Sequence, residues 1–388
     1  MSPRGVAPST FIKHASEVAS FYGFRAIREI EREQAALQTT RPPSARGGSK
    51  FYSFSSAAVV CAMRAAGRPQ EPVLGFYATP SPLHAPSHLA PREVGEFGLQ
   101  VVGTAESVGE IVLLKTLTAI ATEWGAPLAR VRVNALGDRD SQQRFSRELS
   151  GHIRKHVSHL SDEERATVSQ NPLHIYRIQT EVVRGILAEG PRPMHFLSEK
   201  SRVHFRSVLE HLEHLELPYE LDDLLGGDER GPHIAFALDF ADSDATMLAA
   251  VGGRFDEYLK RETHRKDSVG VGASIYFRKK GANKTTFGTV PPPPKPKIYF
   301  AQLGLKAKLK GLAVVDMLRT AGVPVLQSFD ANRLSLQLAQ AAQLGVPYLL
   351  IMGQREALDG TIIVRSTKNS SQNIISVQEV PKFLRTLR

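Results

Sequence analysis

The chain has 388 residues, 42% of them hydrophobic, with 24 prolines, one cysteine and a formal net charge of +10. That apolar fraction excludes a disordered chain and the length predicts two or three domains. Lone Cys61 excludes an internal disulfide and a Cys-x-x-Cys zinc site and reads as a small buried residue. No run approaches the ~18 apolar residues of a membrane helix, and no apolar core follows Met1-Ser2-Pro3-Arg4-Gly5, so the expectation is a cytoplasmic protein without membrane association.

Helical periodicity is predicted at 11–21, 57–66, 107–124 and 141–160, and strand-like runs at Val73–Tyr77, Gly98–Val102, Val131–Asn134, His233–Asp239 and Val271–Phe277. Strands scattered among helices without regular alternation predict an α+β sheet rather than a doubly wound one. The stretch from about 150 to 218 reads as nearly all helix, an insertion packed on that sheet. Val290-Pro291-Pro292-Pro293-Pro294-Lys295-Pro296-Lys297 favours an extended spacer, since four prolines fit neither a helix interior nor a central strand. Beyond it, strands at 298–300, 323–327, 348–352, 361–365 and 373–377 and helices near 304–321, 331–344 and 380–387 predict a small α/β unit with a mixed sheet.

The domain expectation is therefore a core over 1–290, a Pro-rich linker at 291–297 and a basic unit over 298–388. Residues 295–388 carry thirteen Lys or Arg against five acids, most of the excess charge in a quarter of the chain, which points to a polyanion such as RNA.

Motif chemistry read from the residues is sparse. His152, His156 and His159 share one predicted helix face, but no acid sits in register to complete a metal site, and a solvated face is the expected reading. Glu210, His211, Glu213 and His214 lack zincin spacing. Gly270-Val271-Gly272 and Gly252-Gly253-Arg254 are neither Walker nor dinucleotide loops, and no hydrolase triad or carboxylate pair is visible. No metal ligand is assigned.

The order of segments resembles histidyl-tRNA synthetase, a class II aminoacyl-tRNA synthetase, over nearly the whole chain. Ser20-Phe21-Tyr22-Gly23-Phe24-Arg25-Ala26-Ile27, ending at Glu33, resembles that family's first motif, which implies a homodimer. Glu96-Phe97 through Gln100 and Gly103, then Gly109-Glu110-Ile111, is similar to its second motif. Val133-Asn134-Ala135-Leu136-Gly137-Asp138, Asn171-Pro172-Leu173 and Val251-Gly252-Gly253-Arg254-Phe255-Asp256 resemble further segments in order. Residues 298–388, with Leu303-Gly304, Leu318-Arg319-Thr320-Ala321-Gly322 and Gly353-Gln354-Arg355-Glu356, resemble its anticodon-binding domain.

The departures fall on the chemistry. The arginine that would clamp the ATP α-phosphate is Leu83, Tyr52-Ser53-Phe54-Ser55-Ser56 holds no acid for the histidine amine, and Thr104 stands where an acid belongs. Leu225-Gly226-Gly227-Asp228-Glu229-Arg230-Gly231-Pro232 lacks the histidine-contacting tyrosines, the third motif's arginine falls on Phe277 beside Arg278, and the first motif's proline is Ile30.

The resemblance thus implies a synthetase-like protein that binds tRNA or structured RNA without efficient aminoacylation. Its alternatives are a divergent histidine–tRNA ligase, which would use ATP and Mg²⁺, and a regulatory subunit of ATP phosphoribosyltransferase, disfavoured by the presence of residues 298–388. No cofactor is assigned outside the ligase alternative. Candidate residues are Arg230, Arg254 and Arg278 as displaced catalytic arginines, Gln100 and Arg254 for substrate, and Lys306, Lys308, Lys310, Arg355 and Lys368 for RNA. Lys279, Lys280 and Lys284 supplement Arg278 before the linker.

Overall fold

A computed structural model describes residues 8–27, 72–79, 94–178, 180–226, 231–241, 247–279, 297–323, 325–327, 333–368 and 371–386. The 57–66 helix, Cys61, the segments holding Ile30, Tyr52–Ser56 and Leu83, Arg230, Lys280, Lys284 and linker residues 291–296 lie outside them.

The chain begins with α1 (Pro8–Phe21), β1 (Arg25–Ala26), β2 (Val73–Thr79) and β3 (Val94–Val102). Helix α2 (Val108–Glu123) follows, then β4 (Leu128–Ala135). Helix α2 is apolar nearly all round and buried along most of its length, as a helix lying against a sheet must be.

Helices α3 (Arg139–Lys155), α4 (Asp162–Gln170), α5 (Glu181–Ala188) and α6 (Glu199–His214) make the expected helical insertion. Side-chain oxygens of Asp138, Ser161, Thr180 and Ser198 accept hydrogen bonds from the first-turn amides of these four helices, satisfying donors that have no partner within the helix. Phe145, Leu149, Ile153, Ile175, Val183 and Ile186 give the insertion its own apolar cluster.

Returning strands β5 (Tyr219–Leu221), β6 (Ile234–Phe240) and β7 (Met247–Arg254), helix α7 (Asp256–Thr263) and β8 (Gly270–Arg278) complete the large sheet. Among the described residues its order is β1-β2-β3-β8-β7-β6-β4-β5. The β2–β3–β8–β7–β6–β4 pairs are antiparallel and the two edge strands pair parallel. This is the α+β architecture expected from the irregular alternation.

Strands β9 (Ile298–Gln302), β10 (Val325–Gln327), β11 (Tyr348–Met352), β12 (Thr361–Ser366) and β13 (Gln372–Ser376) form the second sheet, in the order β10-β9-β11-β12-β13. The first three are parallel and the last two antiparallel, a mixed sheet. Its helices are α8 (Leu305–Thr320), α9 (Leu334–Leu344), α10 (Gln354–Asp359) and α11 (Val380–Thr386). Period-2 alternation sends Ile298 and Phe300 into one apolar cluster and Tyr299 and Ala301 into another. The first of these clusters is continuous with Phe11, Ile12 and Ala19 of α1 and Leu113 and Leu117 of α2.

The long helix expected over 141–160 ends at Lys155. His156 is its C-cap and Val157–His159 is a separate 3₁₀ turn, so the three histidines do not share a helix face. His152 Nε2 lies 2.8 Å from the Ile186 carbonyl, a packing contact between helices. No helix among the described residues is long and apolar enough to cross a membrane.

Candidate functional site

Strand pleating divides the side chains of the large sheet between two environments. Phe97, Leu99 and Val101 of β3 and Ile275 and Phe277 of β8 belong to the cluster shared with α1 and α2. Glu96, Gly98 and Gln100 therefore face the other way, with Ser274, Tyr276 and Arg278 of β8 and Gly75 and Tyr77 of β2.

A buried polar group occupies this face. Ser274 Oγ donates to Glu96 Oε1 at 2.6 Å, the Tyr77 hydroxyl donates to the same oxygen, and Tyr77 Oη and Ser274 Oγ are 2.8 Å apart. Burial, then the Glu96 charge, pushes the Tyr77 hydroxyl well above the ordinary phenol range. A β-carbon at position 98 would fall 2.0 Å from the Tyr77 ring, so only glycine lets that ring cross β3. The sequence does carry a signal for this cluster, since Glu96, Gly98 and Gln100 interrupt an apolar strand at period 2.

Gln100 sits one pleat further along, opposite Gly75 on one neighbouring strand and Gly272 on the other. Its side chain is 2% exposed, and among the described residues neither Nε2 nor Oε1 has a hydrogen-bond partner. An unpaired buried amide costs roughly 1–3 kcal/mol, so this position is chemically unfinished rather than a settled packing site.

Arg254 faces the opposite way, and its assignment to substrate or to catalysis is corrected. The side chain is 2% exposed and all five N–H groups are used. Nε and Nη2 donate to the two Glu110 oxygens at 2.6 and 2.7 Å, Nη1 donates to Asp256 and to the Thr104 carbonyl, and Nη2 also donates to the Glu106 carbonyl. Five donors in a fixed fork leave nothing for a phosphate. His204 of α6 adds a 2.7 Å contact to Glu110 Oε1. Burial alone would raise the Glu110 carboxyl, but the Arg254 charge and the hydrogen bonds from Arg254 and His204 outweigh it and hold the group at about 2.

Arg278 lies on the same face as Ser274, opposite Val94 and six β8 positions from the Gln100 register. It is half-buried, and among the described residues its Nε has no partner. Arg230 is outside the described residues. Among the described residues no group of three His, Cys, Asp or Glu could hold a metal ion.

The basic candidates of the second sheet divide by position. Lys306 and Lys310 are exposed on α8, and Arg355 on α10 is 88% exposed. Helices α8 and α10 start just beyond the C-terminal ends of the adjacent parallel strands β9 and β11, which brings these cations to one end of the sheet. Lys368 is exposed but follows β12, which runs antiparallel to β11, so it lies at the opposite end. Lys308 is corrected outright. It is 2% exposed on the buried side of α8 and cannot reach a phosphate.

Residues 302–387 match the family model described as anticodon binding domain. Histidine–tRNA ligase of Chlorobium phaeobacteroides is 24% identical over 294 residues, 74% of this chain and 67% of that protein. That of Geobacillus thermodenitrificans is 25% identical over 324 residues, 82% of this chain and 76% of the relative. The chain is thus similar to histidine–tRNA ligases over about three quarters of its length or more, and residues 302–387 match an anticodon binding domain. The apo histidyl-tRNA synthetase structure from S. aureus aligns over 92% of this chain and 94% of its own, with 16% identity and a TM-score of 0.45.

Several segments that resemble the histidyl-tRNA synthetase pattern are structural devices here. Asn134 Nδ2 donates to the Leu225 carbonyl, Asp138 caps α3, and Asn171 caps the 3₁₀ turn at Pro172–Arg177. Gly137 has φ +75°, and a β-carbon there would meet Ser141 at 2.5 Å, so the turn into α3 requires glycine.

Proposed function

We propose that this histidyl-tRNA synthetase-like protein binds tRNA or structured RNA through residues 298–388 and does not charge it efficiently. In this reading residues 1–290 are a synthetase-derived scaffold, 291–297 link it to the RNA-binding unit, and the protein works as a cytoplasmic homodimer. The observation that carries the proposal is the saturation of Arg254. The arginine retained from the family's pattern is fully engaged beneath the sheet, while on the other face the residues next to Gln100 are glycine, tyrosine, serine and glutamate, with Arg25 across Gly75 and Arg278 six positions along β8.

Adenylation needs positive groups where charge develops on the α-phosphate, and losing one such donor typically costs ~10²–10³ in rate. On the Gln100 face the carboxylate Glu96 already accepts hydrogen bonds from Tyr77 and Ser274. Thr104 stands where an acid is expected, and its carbonyl is taken by Arg254.

RNA affinity in this reading comes from Lys306, Lys310 and Arg355 contacting phosphates at one end of the second sheet. Such contacts release counterions, so the logarithm of affinity falls with the logarithm of salt by about 0.7–0.9 per phosphate. A fluorescence titration of labelled tRNA at increasing salt tests this directly. The expected result is binding with a slope corresponding to several phosphates, and absence of binding at low salt rejects the proposal.

A second reading, a divergent histidine–tRNA ligase, is favoured by the unpaired Gln100 amide, because a bound ligand would complete its hydrogen bonds. Arg25 or Arg278, on the same face, would then supply the positive charge.

A further inference from the structure

Helix α8 meets α1 and α2 along a seam that is apolar inside and ionic at its margin. Leu312, Val315 and Leu318 of α8 join Phe11, Ala15 and Ala19 of α1 and Leu117 of α2 in one buried cluster. At the margin, Asp316 of α8 gathers donors from α2 and from the residue that follows α1. The Tyr22 hydroxyl, just beyond α1, donates to Oδ1, and Lys115 Nζ of α2 lies 2.7 Å from Oδ2. One turn along α8, Arg319 pairs through Nη1 with Glu123 of α2, and its Nη2 lies 3.7 Å from Asp316.

These charges are only partly exposed, 22% for Lys115, 26% for Asp316 and 13% for Arg319. The Tyr22 ring is fully buried. An apolar seam alone tolerates sliding and rotation, because the hydrophobic effect is non-directional. The ionic pairs supply direction: an α8 rotated by one residue would carry Asp316 away from both Lys115 and Tyr22.

We propose that Asp316 is the orientation key of an interdomain latch, fixing the C-terminal unit on the core in one pose and so fixing where Lys306 and Lys310 of the same helix point. The latch is independent of RNA binding, and its test contains no RNA.

The test is a spin-label distance measurement on the full chain. Labels are attached at Arg147→Cys on α3 and Leu358→Cys on α10, both exposed positions, in a Cys61→Ser background. The latched protein gives one narrow distance distribution. Asp316→Lys, which places like charge against Lys115, broadens or shifts it, and the swapped pair Lys115→Asp with Asp316→Lys narrows it again. Asp316→Asn, milder in shape and charge, gives intermediate broadening and covers the case in which the reversed charge unfolds the chain, with circular dichroism reporting folding. A broad distribution in the unsubstituted latch, an unchanged distribution in both folded Asp316 variants, or a folded swap that fails to narrow the distribution overturns the proposal.

Discussion

Arg254 of β7 and Glu110 of α2 are joined by two side-by-side hydrogen bonds, Nε to Oε1 at 2.6 Å and Nη2 to Oε2 at 2.7 Å, beneath the central sheet. The pair ties the strand that follows Gly253 to the long buried helix, and His204 ties both to the insertion. Removing one partner leaves a buried charge without compensation, which costs about 3–5 kcal/mol. Arg254→Met should therefore lower unfolding stability by that order in urea titrations. Arg254→Met with Glu110→Leu should recover part of the loss, because the orphaned carboxylate is gone.

Acid should dismantle the same device. The folded Glu110 pKa of about 2 lies below the ordinary 4.5. Its stabilisation is therefore complete above about pH 4.5 and fades as pH falls towards 2. A shift of that size corresponds to something on the order of 3 kcal/mol. Asp138 acts in the same direction. Burial would raise its carboxyl, but hydrogen bonds from Ser198, Ser141 and Ser201 outweigh it and hold the group at about 2. Urea midpoints at pH 6, 4 and 3 should fall steeply, and Glu110→Gln should flatten part of the slope.

Gln100 offers the opposite kind of test. If no ligand completes its amide, Gln100→Leu removes an unsatisfied polar group from a buried face and should raise stability by about 1 kcal/mol, measured by thermal unfolding. A loss of similar size would show that the amide is in use.

Burial separates the three lysines of α8. If RNA binds as proposed, Lys306→Ala and Lys310→Ala should each weaken tRNA binding and reduce the salt slope by about 1, one phosphate contact apiece. Lys308→Ala should leave the slope unchanged, because that side chain is enclosed by the fold. Titrations of the three variants at matched salt decide the point.

The sequence made most of the architecture legible through strong local patterns. The run Tyr348–Met352 is continuous and apolar, and it forms β11 with those bounds. The long apolar stretch over 107–124 could only be a buried helix. Strand β7 was hidden to residue patterning because Gly252 and Gly253 carry no side-chain signal. Those glycines permit close strand approach, where a β-carbon at 252 would meet the Gly272 carbonyl at 2.3 Å. The candidate site was harder. Arg254 looked available because sequence spacing does not say on which side of a sheet a residue projects, and the partner that consumes it, Glu110, is 144 residues away. Lys308 misled for the same reason on a helix, where a shift of two positions from Lys306 moves the side chain from solvent into the core.

Histidine-dependent ATP–pyrophosphate exchange by the purified full chain tests the central claim most directly. An RNA-binding protein whose retained arginine is locked in the fold gives exchange at background while still binding tRNA. Exchange that rises with histidine above background would contradict the account and make this chain a working histidine–tRNA ligase with its phosphate-binding cation supplied from elsewhere.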